Sequence, residues 1–80
     1  MSTPTITPLT AAEVLATNWA DNVREASLRD GNAIRAGAGN TIEGQSINTG
    51  QFMPILLKSG GVAFASAADR DAVLAHILRA

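Results

Sequence analysis

Apolar residues recur at helical spacing near the two ends of the chain and at strand-like spacing, or in short unbroken runs, through its middle. Leu15, Trp19 and Val23 stand four apart, with Ala12, Ala16 and Ala26 on the same side, so they form one apolar stripe. Thr10 is a natural N-cap and Glu13, three residues on, completes a capping box. Leu9 before the cap is placed to pack on Val14. Asp30-Gly31-Asn32 supplies the stop, with Gly31 in the position that favours a left-handed backbone. The pattern predicts one helix from Thr10 to Asp30. Leu28 falls off the stripe and marks a second contact surface.

A second helix is predicted near the C-terminus. Ser66 is its N-cap, Asp69 its N3 residue, and Asp71 adds negative charge near the positive end of the helix dipole. Val73, Leu74, Ile77 and Leu78 form its buried face. Arg79 lies near the last carbonyls, where positive charge is favoured. Arg70 is in line with Val73 and Ile77, so its stem covers apolar surface while its head reaches water or a carboxylate.

Between the helices the period changes. Ala33–Ala36 reads as a short strand and Gly37–Asn40 as a turn. Thr41–Glu43 and Gln45–Ile47 are strand-like around Gly44. A bulge at Gly44 is expected, because it would return Ile42 and Ile47 to one face. Asn48-Thr49-Gly50 is another turn. Phe52–Leu57 is the strongest strand, and Lys58-Ser59-Gly60-Gly61 leads it back as a hairpin into Val62-Ala63-Phe64. Phe52 and Leu56 point one way and Met53, Ile55 and Leu57 the other, so both faces are apolar. Pro54, however, belongs at an edge or bulge. An apolar edge strand is an aggregation hazard unless other protein covers it.

Residues 1–9 hold Pro4 and Pro8 and read as an extended arm whose one large apolar residue before Leu9 is Ile6. The predicted organisation is therefore an arm over 1–9 and a single small α+β domain over 10–80: helix, short antiparallel strands with a C-terminal hairpin, and a C-terminal helix.

Composition changes this picture in one respect. Ile, Leu, Val and Phe number only 19 of the 80 residues, and 15 more are alanine, which removes little area from water. A thin core in a domain this small calls for a staple or a partner. With no cysteine and a single histidine, neither disulfides nor a structural zinc site is expected. Oligomerisation or docking on a larger assembly is left. The net charge of −1 is a poor footprint for nucleic acid or an acidic membrane. Arg24, Arg29 and Arg35 are the nearest approach to a basic patch, yet Arg24 and Arg29 point apart on a helix. The longest apolar run, Phe52–Leu57, is too short to span a bilayer, and the N-terminus lacks the basic and apolar regions of a secretion signal. A soluble protein made in a cytoplasm and not secreted by a signal peptide is expected.

Candidate chemistry is sparse. Gly37-Ala38-Gly39 begins like a dinucleotide fingerprint, but Ile42 stands where the third glycine belongs, and no phosphate-binding lysine follows. His76 is the one candidate general base, two turns from Asp69 and out of its reach. Glu43 is the only charge between Ala36 and Leu57. It is positioned to pair with Arg35 across two strands. An enzyme would need His76 and Glu43 to converge. Trp19 is expected in the core.

No cofactor, metal or catalytic residue is expected. The expected role is that of a non-enzymatic structural or assembly protein, acting as a homo-oligomer or on a larger particle through Ile6, Leu28, Ile42, Ile47, Phe52, Met53 and Ile55. A tailed-phage virion accessory subunit, such as a capsid decoration (cement) protein or a small tail or connector component, has this character, in which case the virion is its location. The alternative is a small cytoplasmic regulator, an inhibitor or adaptor that binds one protein.

Overall fold

A computed structural model of the chain describes residues 9–57 and 61–79. Ile6 and the rest of the expected arm before Leu9, and Lys58–Gly60 of the expected hairpin, lie outside the described residues. The elements run α1 (Ala11–Leu15), α2 (Trp19–Asp30), β1 (Ile34–Gly37), β2 (Thr41–Gln45), β3 (Phe52–Pro54) and α3 (Ala67–Ile77). The α+β class is as expected. The three strands form an antiparallel sheet in the order β1-β2-β3.

The N-terminal capping box is present: the Thr10 hydroxyl accepts from the Glu13 N–H, and the Glu13 carboxylate accepts from the Thr10 N–H at 3.2 Å. The helix it starts does not run on to Asp30. Thr17 ends it by hydrogen bonding locally. Its hydroxyl donates to the Val14 carbonyl at 2.7 Å and accepts from the Trp19 N–H at 3.2 Å. These are backbone groups that a continuous helix would use itself. The break turns Leu15 outward and drives Val14 into the core. Beyond it, α2 ends as expected, with Gly31 at φ 73° and its N–H on the Ser27 carbonyl.

The core gathers Val14, Ala20, Ile42, Leu57, Phe64, Val73 and Ile77, with Leu9, Trp19, Val23, Ile34, Ile55 and Leu74 packed against it. Trp19 lies edge-on to Phe64, with ring centroids 6.3 Å apart, and its indole N–H donates to the Leu56 carbonyl at 2.8 Å. That satisfies the polar end of an otherwise apolar side chain. Leu78, expected on the buried face of the last helix, is exposed because α3 ends at Ile77.

β2 is regular. Ile34, Arg35, Ala36 and Gly37 pair with Gly44, Glu43, Ile42 and Thr41, and Phe52, Met53 and Pro54 pair with Gln45, Gly44 and Glu43. Both ladders cross Gly44 in step, so the expected bulge is absent. Ile42 faces the core, while Ile47 lies in the turn after β2, where Gly50 at φ 72° helps reverse the chain. The β1–β2 turn places Gly39 and Asn40 in the left-handed region, which glycine and asparagine tolerate best.

The expected hairpin of Phe52–Leu57 with Val62–Phe64 takes a different form. The Leu57 N–H donates to the Gly61 carbonyl, but β3 pairs with β2, Ala63 bridges Thr41 and Phe64 bridges Leu9. Past Ile55 the strand turns inward to bury Leu57, and Ala63 takes the edge it leaves beside Thr41. Pro54 does lie on an edge strand.

One link between distant elements has a measurable consequence. The Asp69 carboxylate accepts from the Ala11 N–H at 2.9 Å and from the Ser66 hydroxyl at 2.6 Å, tying the start of α1 to the start of α3. The Ala11 bond first, and the Ser66 bond second, hold its carboxyl below the ordinary aspartate range. A carboxylate held low in the fold stabilises it above the unfolded-state value, near 4, and loses that contribution as pH falls through the lower folded value. Asp69→Asn keeps an acceptor but cannot ionise. It should lower the melting temperature at pH 7 and flatten the fall in melting temperature between pH 4 and pH 2. Thermal melts across that range check this.

Candidate interaction surface

The sheet has two unlike faces. Cross-strand partners in an antiparallel sheet point to the same side, so the register groups Arg35, Glu43 and Phe52 on one face and Ile34, Ile42, Gly44, Met53 and Ile55 on the other. On the first, Arg35 Nε meets Glu43 Oε1 at 3.0 Å, the pairing expected from sequence. The guanidinium reaches across β2 to lie 3.8 Å from the Phe52 ring centroid, so Phe52 is half-covered from within the chain.

The second face carries the helices, but incompletely. An open recess of about 300 Å³ lies between α2 and the sheet. Val23, Ala26 and Ser27 form its helix side, and Ile34, Gly44 and Ile55 its floor. At Gly44 the side chains of the floor lean over the strand: a Cβ there would stand 3.2 Å from Ile55 Cδ1 and 3.4 Å from Ile34 Cδ1. Glycine in this central strand thus lets two isoleucines close over the backbone. Met53, directly opposite Gly44 in the ladder, is 61% exposed.

Of the residues expected to make contacts, Met53 and Ile55 share this face, Ile55 half-buried in the recess. Ile47 follows Ser46 at the recess rim and is 70% exposed. Leu28, also 70% exposed, is on the outside of α2. Ile42 is a correction: it is 1% exposed and belongs to the core, because β2 without a bulge turns it inward. Leu56, not among the expected contacts, is 64% exposed. The recess residues Val23, Ala26, Ile34 and Gly44 were also not among the expected contacts, although Val23 and Ala26 lie on the apolar stripe of the first predicted helix.

The polar candidates are held in separate pairs and clusters. His76 Nε2 lies 2.9 Å from Asp21 Oδ1, and Arg79 Nη2 donates to the same oxygen at 3.2 Å. The His76 bond is the largest influence on Asp21 and, aided by the bond from Arg79, holds its carboxyl below the ordinary range against the opposing effect of desolvation. Arg24 donates to the Ile77 carbonyl at 2.9 Å and also to that of Arg79, and Arg79 Nη1 to that of His76 at 2.6 Å. The cluster clasps α2 to the last turn of α3 and satisfies carbonyls that the helix end leaves open. Glu43 and His76 have separate partners and do not converge. Arg29 pairs with Asp30, so Arg24, Arg29 and Arg35 are each engaged in a different place. Arg70, 17% exposed, meets Asp71 at 2.8 Å and the Gly37 carbonyl at 3.1 Å, a buried stem with a paired head as expected.

Among the described residues, no three His, Asp or Glu side chains gather to hold a metal ion, and no helix is long and apolar enough to cross a membrane. No protein-family model, curated protein or solved structure matches the chain.

Proposed function

We propose that this protein is a non-enzymatic assembly subunit that self-associates and contributes apolar surface to a larger protein assembly. The observation that supports this reading is the recess floored by Gly44, Ile34 and Ile55 beside the exposed Met53. A thin core gains from covering that surface with other protein, since each large apolar side chain fully removed from water contributes about 1.5–3 kcal/mol. A small accessory component of a tailed-phage particle is one form this role takes.

Met53→Asp is the sharper test, because Met53 is exposed and its loss spares the core, whereas Ile55 is half-buried and its replacement by a charge would threaten the fold itself. The variant should keep the melting temperature of the dilute protein and weaken association tenfold or more, as read by light scattering over a concentration series. Unchanged association would remove the recess face from the contact surface.

A further inference from the structure

The two edges of the sheet are not equivalent, and the difference identifies an occupant for one of them. In an antiparallel ladder, alternate residues direct their N–H and C=O toward one neighbour and the residues between them direct theirs away. On β3, the Ile55 N–H donates to the Ile42 carbonyl and the Ser46 N–H to the Gln51 carbonyl. Residues 51, 53 and 55 therefore face β2, and Phe52 and Pro54 face outward. The missing N–H of Pro54 sits where an added strand would need a donor, so this edge is closed to growth.

β1 is built the other way. The Gln45 N–H donates to the Ala33 carbonyl, so Ala33, Arg35 and Gly37 face β2, while Ile34 and Ala36 turn their N–H and C=O outward. Among the described residues no chain segment pairs with that side. The usual protections of an open edge are a proline, a bulge or an outward charge. β1 has no proline and no bulge, and its one charge is drawn inward: Arg35 binds Glu43 on β2 and covers Phe52 on β3. Of the two outward residues, Ala36 is small and the Ile34 side chain packs against the core, so neither obstructs a strand about 4.8 Å away.

We infer that the outer edge of β1 pairs antiparallel with β1 of a second copy of this chain, joining two sheets into one across a two-fold axis at Arg35. The match is reciprocal. Ile34 of each copy faces Ala36 of the other, and the outward donors and acceptors of both are satisfied without any further sequence. The two arginines that meet on the axis are each neutralised by their own Glu43 and held over their own Phe52, away from the junction. Because Pro54 closes the far edge, edge-to-edge pairing stops at two copies instead of continuing as a fibre, and the recess face with Met53 is the surface through which such pairs associate further. The inference rests on the assembly reading above and supplies its partner.

Ala36→Pro tests it, because the Ala36 N–H makes no ladder bond within the chain. The variant should keep the monomer's circular dichroism and lose association at least tenfold. On the unmodified protein, amide hydrogen exchange at Ile34 and Ala36 should slow at least tenfold between dilute and concentrated samples. This reading decides the matter even if the proline variant fails to fold. Association that persists in Ala36→Pro, with those two amides still exchanging fast, would overturn the edge pairing and leave the assembly reading standing. A chain that never associates would overturn both.

Discussion

Phe64→Ala is expected to cost about 3–5 kcal/mol, the range for emptying a buried aromatic site. Phe64 is 2% exposed and its ring meets the edge of Trp19. Its backbone is also a junction, since its N–H donates to the Asn40 carbonyl and it forms an isolated bridge with Leu9. The surrounding residues are tied by those bonds and cannot collapse freely into the space. An 80-residue domain loses roughly 4–8 °C of melting temperature per kcal/mol, so the midpoint should fall by at least about 12 °C. The chain has one tryptophan, so its fluorescence reports the site directly. Emission should shift to the red in the native baseline of the variant, because the ring that shields Trp19 is gone. A shift of only a few degrees with unchanged emission would show that Phe64 does not hold the core together.

Gly37→Ala is the second large effect, and its origin is steric. A Cβ at this position would overlap Thr41 Oγ1 and lie 2.5 Å from Glu43 Cγ and 2.7 Å from Glu43 Cδ. Thr41 cannot move aside easily: it is buried, and its hydroxyl donates to the Ala38 carbonyl at 2.8 Å. Glu43 is held by Arg35. The backbone of Gly37 is fixed from the other side as well, its carbonyl accepting from Arg70. Overpacking of this kind costs roughly 1–3 kcal/mol. The penalty should be smaller in a Glu43→Ala background, where two of the three offending atoms are absent. A double-mutant cycle on thermal stability measures that coupling. Additive losses would place the strain elsewhere.

These two sites show where the sequence was readable and where it was not. The caps were legible because each is a local pattern of a few residues: Thr10 with Glu13, Gly31 after Asp30, Ser66 before Asp69. The Arg35–Glu43 pair followed from two strands joined by a short turn. The break at Thr17 was missed because apolar spacing alone carries straight through it; the signal was the pair of weak helix formers, Thr17 and Asn18. Gly44 was read as a bulge, and only the ladders on both sides of β2 show that the strand runs through it in step. The recess depends on how far α2 stands from the sheet, a distance no local pattern encodes. The Asp21–His76 and Ala11–Asp69 contacts join residues more than fifty positions apart, so neither was visible along the chain.

Met53 and Ile55 were legible as contact candidates because strand alternation puts them on one face. Ile42 was misplaced for the same reason that Gly44 was misread. The open edge of β1 needs the hydrogen-bond phase of the ladder, which a strand prediction does not contain.

The central claim is that the chain associates with itself, and mass in solution tests it most directly. Light scattering over a hundredfold range of concentration should show a mass rising above the 8.2 kDa of one chain. Over the same range the melting temperature should rise, because association stabilises the folded state by mass action. A mass fixed at 8.2 kDa throughout, with a melting temperature independent of concentration, would contradict the account.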